Sequence, residues 1–118
     1  KTKDKKIEAV FYRDVLEKIF SNEERKLYLE RRIEKKIHVR SLYTKKEGRL
    51  DTNIPFTERR WIPGELFSIS SDITLYGNKA GFAAFEGRPI GIIIESESIV
   101  NTFRTIFNLA WEAAKKFN

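Results

Sequence analysis

The feature that most constrains the fold is the stretch from 72 to 96, DITLYGNKAGFAAFEGRPIGIIIES. It holds two short apolar runs joined by Gly77-Asn78, then a third run after EGRP. A two-residue turn in which one backbone angle must be positive suits Gly-Asn, so 68–76 and 79–85 are predicted to form a hairpin. IGIIIES (90–96) is almost continuously apolar. That pattern predicts a central strand, covered on both faces. Three strands in sequence need a sheet, and a sheet needs something apolar laid against it.

The last twenty-odd residues supply that cover. SIVNTFRTIFNLAWEAAKKF reads as a helix capped by Ser96 or Ser98. Ile99, Phe103, Ile106, Phe107, Ala110, Ala114 and Phe117 form its predicted apolar stripe. Trp111 falls beside the stripe and is expected in the core or at a subunit contact. Lys115 and Lys116 end the helix where positive charge is favoured.

Upstream, Ser21 and Glu24 have the S-x-x-E spacing of a capping box and should start a helix running to about Lys36. Leu27, Ile33 and Ile37 fall near one side of it. KIHVRSLY (36–43) alternates as a strand with one apolar face. Residues 7–20 fit either a helical stripe or a strand followed by a short helix, and both remain open. TKKEGRLDTN (44–53) reads as a polar loop, and TERRWIP (57–63) as a short extended segment closed by Pro63. The sum is one α/β domain over 1–118: a small mixed-sheet sandwich with helices on its faces.

Composition excludes several classes. There is no cysteine, hence no disulfide framework or thiolate metal site, and a single histidine, His38. Metal and cofactor are therefore expected to be absent. No apolar run is long enough to span a membrane, and no signal peptide precedes KTKDKK, so a cytoplasmic setting is expected. The chain has no methionine, which suggests a piece of a longer product. Residues 1–50 carry 16 Lys and Arg against 9 Asp and Glu, whereas 51–118 carry 7 against 8. A basic half can steer toward polyanions, although such runs more often form a solvated face. A stand-alone nucleic-acid- or protein-interaction module is thus one alternative.

The order of motifs adds a resemblance. Arg60-Trp61-Ile62-Pro63, then Tyr76-Gly77-Asn78-Lys79, then Ile90 to Ser96, then Ile106 to Trp111 resembles the C-terminal sensor domain of TrmB-type transcriptional regulators. The likeness runs over roughly 25–114. It implies a phospholipase-D-like fold, a homodimer, a small-molecule effector (a sugar or an anion), and DNA contact only through a winged-helix domain upstream of this chain. Phospholipase-D-type enzymes place a nucleophilic histidine two residues before a lysine and an aspartate five after it. Aligned on Lys79, those positions are Gly77 and Ala84. Neither has a side chain for the task. His38-x-Arg40 imitates the spacing, but Lys45 stands where the aspartate should be. A non-catalytic module is therefore expected. The candidate ligand-binding residues are Arg32, Arg40, Arg60, Trp61 and Lys79: cations for a polar or anionic ligand, and an indole that can stack beside arginine. The plainer roles are helix-surface charge paired with Glu30 and Glu34 for Arg31 and Arg32, core packing for Trp61, and for Lys79 a long stem over apolar sheet.

Overall fold

The computed structural model describes residues 5–118. Lys1 and Lys3 of the basic amino-terminal run lie outside the described residues. Six strands and three helices follow in order: β1 (Lys6–Tyr12), α1 (Arg13–Ile19), α2 (Asn22–Glu34), β2 (His38–Thr44), β3 (Thr57–Trp61), β4 (Asp72–Tyr76), β5 (Lys79–Ala84), β6 (Ile90–Glu95) and α3 (Glu97–Ala113), with a final 3-10 turn (Ala114–Phe117). The chain is a mixed α/β domain, as its patterning predicts.

The strands form one sheet in the order β3-β2-β1-β4-β5-β6. β1, β2 and β3 are parallel; β4, β5 and β6 continue as an antiparallel meander from the other side of β1. Residues 7–20 resolve into a strand and a helix of about two turns. β1 pairs with β2 along its whole length, from Lys6 against His38 to Tyr12 against Thr44. Parallel neighbours need a crossover, and α1 with α2 provides it. The capping box forms as predicted: Glu24 N–H donates to Ser21 Oγ at 3.0 Å, and Ser21 N–H to Glu24 Oε1 at 2.8 Å. The helix stops at Glu34, short of the expected end, because Lys36 turns to φ 58° and the backbone leaves the helical region. Leu27 points outward and is exposed.

The hairpin turn forms at Gly77-Asn78, with Gly77 at φ 55°. Its first strand begins only at Asp72, so 68–71 is not part of the ladder. Ser96 caps α3 by accepting from Ile99 N–H at 3.3 Å.

The core lies between α3 and one face of the sheet. Leu42, Leu75 and Ala80 meet Val100, Phe107, Trp111 and Ala114, with Val10, Ile62, Ile73, Phe82 and Phe103 at the margin. Each such large side chain contributes about 1.5–3 kcal/mol on burial. The inward stripe of α3 is thus Val100-Phe103-Phe107-Trp111-Ala114, rotated from the predicted one. Trp111 is at its centre, and Ile99, Ile106 and Ala110 are exposed. The second correction concerns β6. It is an edge strand, not a central one, and Ile90, Ile92 and Ile93 are exposed. Continuous apolarity predicts two covered faces; here the meander simply ends at β6, and no described element lies beyond it.

On the opposite face, Tyr43 is fully buried and stacks on Phe11 with ring centroids 5.9 Å apart. Its hydroxyl accepts from Leu50 N–H at 2.7 Å and so pins the 45–56 loop over that face.

Candidate functional site

Strand alternation decides which candidate residues meet. Successive side chains point to opposite faces. Leu42 and Ala80 face α3, and the register aligns Arg60 with Leu42, Glu58 with Arg40 and Glu8 with Arg40. Arg40, Arg60, Glu8 and Glu58 therefore share the α3 face. Arg59, Trp61 and Lys79 fall on the other. The sequence run Arg59-Arg60-Trp61 is split by its own strand.

Arg40 and Arg60 converge on one aromatic. The Arg60 guanidinium carbon lies 4.2 Å from the Trp111 ring centroid and that of Arg40 5.3 Å; Arg40 also lies 5.1 Å from the Phe107 ring. Arg60 further donates to the Trp111 carbonyl at 2.6 Å. Cations over indole are held by its quadrupole as well as by contact.

Beside them lies the cluster that sequence reading missed. Glu8 is only 5% exposed. Arg104 Nε donates to its Oε1 at 2.9 Å, and Arg40 stands 3.6 Å from its Oε2. Arg40 also donates to Asn108 Oδ1 at 2.8 Å, and Arg104 to the Gly77 carbonyl at 3.2 Å. A buried carboxylate is tolerated only when paired and hydrogen-bonded, and two arginines meet that need. The signal was present: Glu8 shares the parity of Val10, so a charge occupies a core-facing position of a central strand.

This cluster opens into a cleft of about 470 Å³ lined by Lys6, Ile7, Glu8, His38, Val39, Arg40, Glu58 and Arg104. Arg40 and Arg104 supply donors held in place by Glu8, with Lys6 exposed at the edge; Glu8 and Glu58 supply acceptors. His38 is exposed at its rim, edge-on to Phe56 at 4.9 Å. The mix suits a small polar molecule that both gives and takes hydrogen bonds.

The other candidates serve different places. Arg32, 7% exposed, donates to the Ile37 carbonyl at 3.0 Å, the Phe56 carbonyl at 3.1 Å and Thr57 Oγ1 at 2.6 Å. It fastens the end of α2 to the entries of β2 and β3; burial lowers its pKa. Trp61 donates its indole N–H to the Lys45 carbonyl at 3.0 Å. It lines a second cavity of about 320 Å³ with Tyr12, Thr44, Lys45, Lys46 and the 63–69 segment, at the carboxyl ends of the three parallel strands. Lys45 is already neutralised there by Asp14, Glu17 and Glu47 at 3.7–4.0 Å. Lys79 is half-buried, opposite Tyr76 and Glu95 in the ladder. Gly77 sits in the hairpin turn and Ala84 ends β5. Among the described residues, no group of three His, Cys, Asp or Glu side chains is placed to hold a metal ion. Among the same residues, no helix is long and apolar enough to cross a membrane.

No family model, curated protein or solved structure matches this chain.

Proposed function

We propose that this domain is a non-catalytic effector-sensing and dimerisation module of a transcriptional regulator, of the TrmB type and with a phospholipase-D-like fold. The observation that carries the reading is the cleft around Glu8, where a carboxylate is held between Arg104 and an Arg40 that is itself seated over the Phe107 ring. Such a set can bind the hydroxyls of a sugar or the oxygens of a small anion. It offers no nucleophile with a base beside it. Arg104 ties the cleft to the β4–β5 turn through the Gly77 carbonyl. A ligand that competes for Arg104 loosens that tie and biases one arrangement of α3 over another, which is the differential interaction a sensor requires. DNA would be met by an upstream winged helix outside this chain, in a cytoplasmic regulator.

The test is calorimetric titration with neutral sugars, sugar phosphates and inorganic phosphate, repeated on Arg40→Gln. Binding that falls at least about tenfold in that variant supports the reading, since one charge-assisted hydrogen bond is worth about 1.5–3 kcal/mol. Binding unaffected by Arg40→Gln, or absent for every probe, overturns it.

A further inference from the structure

The free edge of β6 has no described neighbour, yet it is the most apolar strand in the sheet. Ile93 is 70% exposed and Ile92 52%. Natural sheets protect an open edge with charge, proline, a bulge or a covering element. β6 carries only Glu95 at its end and Pro89 just before its start, and nothing of the kind between Ile90 and Ile94. An edge that is apolar along its middle calls for a partner strand.

The backbone shows which groups that partner would meet. Ser96 N–H points inward and donates to the Asn78 carbonyl at 3.0 Å. Strand alternation then turns the N–H and C=O of Ile94, Ile92 and Ile90 inward as well, and those of Glu95, Ile93 and Gly91 outward. The outward set is symmetric about Ile93. An antiparallel copy of the same strand, with Ile93 opposite Ile93, uses all three outward residues on each side: Gly91 faces Glu95, and Glu95 faces Gly91. The same register sets Ile92 against Ile94 on the α3 face and Ile93 against itself on the other. It also brings Glu97, in the first turn of α3 of one copy, toward Arg88, just before β6 of the second. Arg88 stands just before the start of the strand, two residues after Glu86, and Glu95 and Glu97 stand at its end, so antiparallel self-pairing brings Arg88 toward acidic groups that parallel pairing would set against each other. Ile99, exposed in the first turn of α3, extends the apolar surface next to the end of β6.

We infer that β6 is the dimer interface: two copies pair β6 antiparallel about a two-fold axis at Ile93, making one continuous twelve-stranded sheet. The inference names the partner surface that the regulator reading leaves open, and it rests on that reading only for its purpose. A two-fold interface is self-complementary by construction, and β6 meets that condition in hydrogen bonding, side chains and charge.

The experiment is light scattering and sedimentation over a wide concentration range on the full chain and three variants. Ile93→Pro removes an outward N–H and leaves the inward ladder to β5 its donors. It should weaken the dimer by about 30-fold or more, the scale of a central interface residue, with the far-ultraviolet dichroism retained. Arg88→Glu and Glu97→Lys should each be monomeric alone and should form a mixed dimer together, which keeps the inference testable if Ile93→Pro fails to fold. A chain that is monomeric throughout overturns it, even where a foreign strand can occupy the edge. A dimer indifferent to all three variants overturns it as well. A β6 dimer that binds no effector leaves this inference standing and removes the sensing reading; an effector-binding monomer does the reverse.

Discussion

Replacing Arg32 by methionine keeps the length of the stem and deletes the guanidinium. Two backbone carbonyls and the Thr57 hydroxyl lose this donor; the Phe56 carbonyl keeps Val39 N–H and the Thr57 hydroxyl keeps the Pro55 carbonyl. Each hydrogen bond to a charged group is worth about 1.5–3 kcal/mol. Against this stands relief of burying a cation that has no carboxylate beside it among the described residues, a penalty of several kcal/mol. The balance is a net loss of about 3 kcal/mol, because three well-formed bonds outweigh the partial desolvation of a charge spread over a planar group. With about 2.1 cal/mol/K of unfolding entropy per residue, that loss lowers Tm by about 12 °C. Urea unfolding should show the midpoint falling with the slope unchanged. Arg32→Lys should recover about half, since an ammonium reaches fewer of the three acceptors. A methionine variant within about 0.5 kcal/mol of the parent would show that the guanidinium merely cancels its own burial cost, and the fastening of α2 to β2 and β3 would have to come from elsewhere.

Three further outcomes are expected. Burial raises Asp72 from 3.8 to about 6, so the folded state holds its proton more tightly than the unfolded chain. Stability is then highest below about pH 4 for this group and is lost as pH rises through 6; Asp72→Asn should flatten that slope in thermal melts and raise Tm at neutral pH. Gly77→Ala forces a Cβ onto a backbone at φ 55° and should cost about 1–2 kcal/mol in chemical unfolding. Trp111→Ala empties the centre of the core and removes the shared seat of Arg40 and Arg60; a loss of about 3–5 kcal/mol is expected by the same assay.

Local chemistry was legible from the chain alone. Ser21 with Glu24 specified a helix start, Gly77-Asn78 a turn, and Ser96 or Ser98 the cap of α3, because each depends on a few adjacent residues and their backbone angles. The class followed as well: alternating and apolar runs between two helical patterns leave little but a mixed sheet with helices against it. Tertiary structure decided the rest. Whether β6 lies inside or at the edge depends on what comes to lie beside it, and its own composition is the same in either place. The inward face of α3 was set by the crossing of the helix over the sheet, which turned Trp111 to the centre and Ile106 to the surface. The cleft was the least legible part. Glu8 and Arg104 are 96 positions apart in the chain; only the antiparallel meander and the return of α3 across the sheet bring them together. The same folding separated Arg60 from Trp61, neighbours in sequence, because a strand sends adjacent side chains to opposite faces.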